Sequence, residues 1–162
     1  MEIKDIYSLL KGHRVTTDTR NITAGDVFFA LKGENFDGNS FAAQAIEGGA
    51  FMVIIDNPQY ASLPRTLLVE NVLHTLQQVA AYHRHQLGIP ILGITGTNGK
   101  TTTKELCYTV LSKKYNTVAT KGNLNNHIGV PLTLLSMDQT TEFGIVEMGA
   151  NHPGEIEFLC NI

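Results

Sequence analysis

Gly93-Ile94-Thr95-Gly96-Thr97-Asn98-Gly99-Lys100-Thr101-Thr102 joins an apolar run, Ile89 to Thr95, to a helical pattern running from Thr101 to about Lys114. Strand, glycine-rich turn and helix in that order belong to the βαβ grammar of a parallel sheet. Such a turn can wrap polyphosphate oxygens with backbone N–H groups, because Gly96 and Gly99 permit close approach and unusual dihedrals. The helix aims its positive end at the same place. Lys100 would bring a point charge to the β/γ-phosphates and Thr101 a hydroxyl to Mg²⁺. The strict pattern G-x-x-x-x-G-K-[ST] wants glycine where this chain has Ile94, with Gly93 one place early. A glycine-rich turn with a merely solvated Lys100 is the alternative, and the strand-then-helix context favours phosphate.

Working outward, Asn116 to Thr120 and Phe143 to Met148 read as two more buried strands, and a further helix begins near Gly154. On the other side, Asn71 can cap a helix whose apolar face is Val72, Leu76, Val79, Ala80, His83 and Leu87, stopped by Gly88 and Pro90. Before residue 71 the segments alternate faster. Ile3 to Leu10 is a helix, Asp26 to Leu31 a strand ended by Lys32-Gly33, and Phe41 to Glu47 a helix closed by Gly48-Gly49. Phe51 to Ile55 and Thr66 to Val69 are strands. The expected architecture is α/β, with a small amino-terminal domain over residues 1–70 and part of a phosphate-loop parallel-sheet domain over 71–162.

Composition agrees. The chain has 162 residues, 43% hydrophobic, 17% charged, 15 glycines and a net charge of -3. Plentiful apolar residues exclude disorder, and a weakly acidic chain without a basic run is a poor electrostatic partner for nucleic acid. No apolar run approaches a membrane span, and Met1-Glu2-Ile3-Lys4-Asp5 does not open a secretory signal, so a cytoplasmic protein is expected. Cys107 and Cys160 form no C-x-x-C pair. His83 and His85 stand two apart on a helix and cannot face one ligand, and His127 and His152 lack metal-ligand spacing.

The loop Gly96-Thr97-Asn98-Gly99-Lys100-Thr101-Thr102 resembles that of the Mur ligases and folylpolyglutamate synthetases, ATP-dependent amide-forming enzymes. Thr17-Asp18-Thr19-Arg20, Gly25 to Gly33 and Phe36-Asp37-Gly38 are similar to the UDP-sugar-binding domain of the later Mur ligases. Lys121 to Thr133 and Val146 to His152 resemble the branch of that family that adds D-alanyl-D-alanine.

The resemblance implies a peptidoglycan-synthesis enzyme in which ATP phosphorylates the terminal carboxylate of UDP-N-acetylmuramoyl-tripeptide. The amine of D-alanyl-D-alanine then attacks the acyl phosphate. It implies that Gly96, Thr97, Asn98, Gly99, Lys100, Thr101 and Thr102 hold ATP, with Lys100 and Glu147 catalytic and Thr101 and Glu147 on Mg²⁺. Asn123 and Asn126 would line the cleft toward the acyl acceptor, and Thr17, Thr19, Glu34, Asn35 and Phe36 would hold uridine. Asn39 stands where the family often has His. Read without the resemblance, Asp18, Thr19 and Arg20 also suit a turn with an ion pair, Asn123 and Asn126 suit turns, and Glu147 suits a strand end.

The family's carbamylated lysine, later His motif and carboxy-terminal domain are expected beyond Ile162. The chain alone is therefore expected to be inactive and prone to self-association, and the full-length enzyme to be a monomer. Competing readings are another Mur-type amino-acid ligase and a non-catalytic ATP-binding module.

Overall fold

The computed structural model describes residues 1–162. The chain divides into two compact α/β units, Met1–Leu76 and Gln77–Ile162.

In the first unit, α1 (Ile3–Leu10) packs Ile6, Tyr7 and Leu10 inward and ends before Gly12, whose φ of +87° suits glycine. β1 (Val15–Thr16), β2 (Val27–Phe29), β5 (Met52–Ile55) and β6 (Thr66–Leu68) form one parallel sheet in the order β1-β2-β5-β6. Its central strands are apolar on both faces: Val27, Phe28, Phe29, Val53, Ile54 and Ile55 are all buried. That is the pattern of a parallel sheet covered on both sides, and each such side chain contributes about 1.5–3 kcal/mol by leaving water. α2 (Ala42–Glu47) packs Ala42 and Ala45 against Phe28, Val53 and Ile55.

The strand expected over Asp26 to Leu31 is shorter than its apolar run. Asp26 leaves the ladder and turns its carboxylate to Arg14 and to the Thr23 N–H. Lys32 and Gly33 do more than end the strand. They form β3 (Lys32–Gly33), which pairs antiparallel with β4 (Phe36–Asp37) to make a hairpin tipped by Glu34 and Asn35. Gly38 lets the chain fold back: its N–H donates to the Leu31 carbonyl, and a Cβ there would lie 2.3 Å from that oxygen.

α3 (Val72–Leu87) starts in the first unit and ends in the second. Asn71 caps it, its side chain accepting from the His74 N–H at 2.8 Å. In the second unit β7 (Ile91–Ile94), β8 (Thr117–Ala119) and β9 (Phe143–Glu147) form a parallel sheet with β9 in the middle. α4 (Lys100–Leu111) follows β7, α5 (Gly129–Leu135) precedes β9, and α6 (Glu155–Cys160) follows it. Val130, Leu134, Met137, Val146, Met148, Leu159 and Ile162 form its core with Ala80.

Candidate nucleotide and cation site

The expected phosphate loop is the connection from β7 to α4. Ile94, at the end of β7, is buried, which accounts for the absence of glycine at that position. The glycines that carry the turn are Gly96, at φ +144°, and Gly99, at φ +75° and in the N-cap place of α4. Thr95, Gly96, Thr97, Asn98 and Gly99 are exposed, as are Thr101 and Thr102 in the first helical turn. Lys100 lies back over the loop, its Nζ donating to the Gly96 carbonyl at 2.7 Å. A loop of exposed residues at a helix start, with one lysine folded across it, is an arrangement that suits an anion.

Glu147 ends β9 directly beside the start of this loop. Ile94 and Glu147 are register partners, and the Met148 N–H donates to the Ile94 carbonyl at 2.8 Å. Although Glu147 is only 2% exposed, just one of its carboxylate oxygens has a partner. Oε1 accepts from Asn125 Nδ2 at 2.9 Å, while Oε2 is buried without one. A buried carboxylate oxygen left unpaired costs free energy unless something positive meets it. Like the hydroxyl of Thr101, exposed in the first turn of α4, it is the hard-oxygen donor type that Mg²⁺ takes. The residues present fit that ion.

Around Glu147 the chain is tightly organised. Its N–H donates to Thr120 Oγ1 at 2.9 Å, and Thr120, just past β8, receives Lys104 Nζ on its carbonyl at 2.7 Å. Asn125 is fixed in turn, its carbonyl accepting from the Gly149 N–H at 2.8 Å. Sequence reasoning chose Asn123 and Asn126 from this asparagine-rich stretch, and the side chain that reaches Glu147 belongs to Asn125. Asn126 lies three residues before α5, its Oδ1 accepting from the N–H groups of Ile128 and Gly129 at 3.1 and 2.9 Å, and Asn123 is exposed. The signal available was the run of asparagines itself.

The first unit gathers its candidate residues at the carboxyl ends of β1, β2 and β5, where open parallel sheets bind ligands. Thr17 and Thr19 follow β1 and are half-buried, whereas Glu34, Asn35 and Phe36 are exposed on the hairpin after β2. Between the threonines, Asp18 accepts from the Arg20 guanidinium at 2.9 and 2.8 Å and from the Arg20 N–H. The Arg20 side chain, helped by its backbone N–H, holds the Asp18 carboxyl at about 2.

The residue missed here is Asn39, which is fully buried. Its Nδ2 donates to Asp37 and Asp56, and its Oδ1 accepts from the N–H groups of Asp56 and Asn57. Lys32 Nζ pairs with Asp56 at 2.8 Å, so the hairpin is tied to the end of β5. A polar residue two places after an aspartate was the sequence signal, and its partners lie too far along the chain to read.

With this geometry in hand, the comparisons with known proteins are specific. Residues 11–92 match the family described as "Mur ligase family, catalytic domain", and residues 94–162 match the "Mur ligase middle domain". The chain is 41% identical to UDP-N-acetylmuramoyl-tripeptide–D-alanyl-D-alanine ligase of Bacillus subtilis (strain 168), over 99% of this chain and 38% of that protein. It superposes on a crystal structure of MurF from Acinetobacter baumannii with a TM-score of 0.84 at 35% identity, covering 97% of this chain and 37% of that one. MurF ligase from Thermotoga maritima, crystallised in complex with ADP, gives a TM-score of 0.82 at 36% identity over 94% of this chain and 35% of that one. The chain thus spans somewhat over a third of the length of these relatives.

Proposed function

The chain belongs to the Mur ligase family, and from that premise we propose that it carries the UDP-substrate unit and the nucleotide–cation half-site of an ATP-dependent ligase. The proposed reaction joins D-alanyl-D-alanine to UDP-N-acetylmuramoyl-tripeptide in peptidoglycan synthesis. The observation that supports this reading is the Ile94–Glu147 register: the residue with the buried, partnerless carboxylate oxygen pairs with the strand end from which the glycine loop leaves. Support for the choice of substrates comes from relatives named for that activity, at 41% and 43% identity.

A carboxylate is a poor acyl donor until one oxygen becomes phosphate. In the proposed sequence the tripeptide carboxylate attacks the γ-phosphorus of ATP and ADP leaves. The amine of D-alanyl-D-alanine then attacks the acyl phosphate, releasing phosphate and a proton as the amide forms. The work assigned to this chain is positioning and charge neutralisation. Backbone N–H groups of Gly96 to Thr102 cradle the phosphates, and Lys100 exchanges the Gly96 carbonyl for a phosphate oxygen. Glu147 and the Thr101 hydroxyl would hold Mg²⁺, which would supply charge neutralisation for the transferring phosphate. Thr17, Thr19, Glu34, Asn35 and Phe36 hold the UDP end of the donor, with Phe36 offering an apolar face.

The test is phosphate release by the protein that carries this chain, with each substrate omitted in turn. Release that requires ATP, the UDP-tripeptide and D-alanyl-D-alanine together supports the proposal. Release without either acceptor, or with a different amino acid only, overturns it.

A further inference from the structure

Lys104 is a lysine that the phosphate loop does not account for. It lies one helical turn beyond Lys100 on α4, hence on the same face, yet its side chain is 2% exposed. Lysines are almost never buried to this degree unless paired, because removing the charge from water is costly. Its only charged partner is Glu105 at 3.0 Å, itself largely in solvent. Its other contact is the carbonyl of Thr120 at 2.7 Å.

Thr120 is where this contact gains meaning. It is itself buried, its N–H donates to the Ile145 carbonyl of β9, and its hydroxyl accepts from the Glu147 N–H. One residue therefore meets Lys104 on one side and the backbone of the candidate cation ligand on the other. We infer that Lys104 is a positioning residue that ties the phosphate-loop helix, through Thr120, to Glu147 and so fixes the carboxylate against the loop. The inference rests on the proposed nucleotide–cation site. The exposed Glu105 pair is incidental to it, and the carbonyl contact is the operative one.

Loss of an outer residue that orients a metal ligand typically weakens the metal site 10- to 100-fold. The protein carrying this chain is titrated with Mn²⁺ in the presence of ADP, with free Mn²⁺ read by electron paramagnetic resonance, and ADP affinity is measured separately without metal. Lys104→Met is expected to weaken Mn²⁺ binding by about tenfold, with metal-free ADP affinity within about twofold of the parent. Glu105→Gln is expected to bind Mn²⁺ as the parent does.

Because Lys104→Met removes a buried donor and could unfold the protein, Thr120→Ser and Thr120→Val provide a second reading. Serine keeps the hydroxyl and should retain Mn²⁺ affinity, whereas valine should lose about tenfold. A purely structural role lowers the melting temperature of the Lys104 and Thr120→Val variants but leaves their Mn²⁺ affinity unchanged, and that result overturns the inference. A parent protein that binds no Mn²⁺ with ADP overturns the nucleotide–cation site itself, and the inference with it.

Discussion

Ile94 and Glu147 are cross-strand partners in adjacent parallel strands, so the glycine loop and the one buried, half-partnered carboxylate of the second unit leave the sheet at the same level. Glu147 Oε2 lacks a partner while Oε1 is held by Asn125, so the carboxyl group is oriented but only half satisfied. Glu147→Gln keeps the shape and removes the charge. Its unfolding free energy should stay within about 1 kcal/mol of the parent's, since the Asn125 bond to Oε1 can be kept and only the partnerless position changes. Divalent-cation binding should fall by about a hundredfold or more, beyond the usual cost of losing a supporting residue. Urea unfolding and cation titration check the two halves.

Lys100→Ala should abolish turnover with little effect on folding. The side chain makes one exposed hydrogen bond, to the Gly96 carbonyl, so the stability change should stay within about 0.5 kcal/mol. Loss of its charge at the transferring phosphate should cost on the order of a hundredfold to a thousandfold in kcat. Steady-state kinetics beside a thermal melt make the comparison.

Two glycines of the second unit should respond differently to alanine. Gly99 has φ +75° with open space where a Cβ would go, so Gly99→Ala pays only the left-handed backbone cost of about 1–2 kcal/mol. At Gly129 the added Cβ would lie 2.2 Å from the Leu124 carbonyl carbon. Backbone must move there, and Gly129→Ala should lose roughly 3 kcal/mol or more. Denaturant unfolding of the pair checks the order.

Acid should find the first unit through Asp26. The Arg14 guanidinium, aided by the Thr23 N–H against the opposing effect of burial, holds this carboxyl at about 2, below its ordinary 3.8. A depressed value in the folded state carries stability at pH above about 4, which is lost as pH falls from there toward 2. Arg14→Met should lower stability at neutral pH and flatten the decline across that window. Urea midpoints on a pH series read both, and a slope equal to the parent's would contradict the assignment.

Asn39→Ala should destabilise the first unit by on the order of 2–3 kcal/mol, because it removes the partner of the half-buried Asp56 and Asn57 N–H groups and of the Asp37 and Asp56 carboxylates. The hairpin bearing Phe36 should loosen with it. Amide exchange of residues 32–37 provides the local readout.

Where a single element sets the pattern, the fold was legible. The periodic face of α3, the apolar runs of β2, β5, β7 and β9, and the loop before Lys100 were all readable from the chain. β1 was not, because two residues cannot show a period. α5 was not read either: Gly129 and Pro131 both disfavour a helix interior, yet proline is tolerated in a first helical turn, where its missing N–H is not needed. In the candidate site, Lys100, Thr101 and Glu147 were visible because loop and strand end are local features. Asn125 and Lys104 were not. Which asparagine of a run faces a carboxylate, and whether a helical lysine is solvated or buried, depend on contacts 22 and 16 residues away.

One measurement bears most directly on the proposed ligase reaction: amide formation and phosphate release followed together in the protein that carries this chain, with ATP, UDP-N-acetylmuramoyl-tripeptide and D-alanyl-D-alanine. Equal amounts of phosphate and UDP-muramoyl-pentapeptide, both lost in Glu147→Gln, are the predicted result. Pentapeptide formed at the parent's rate by Glu147→Gln, or no product from the parent, would contradict it.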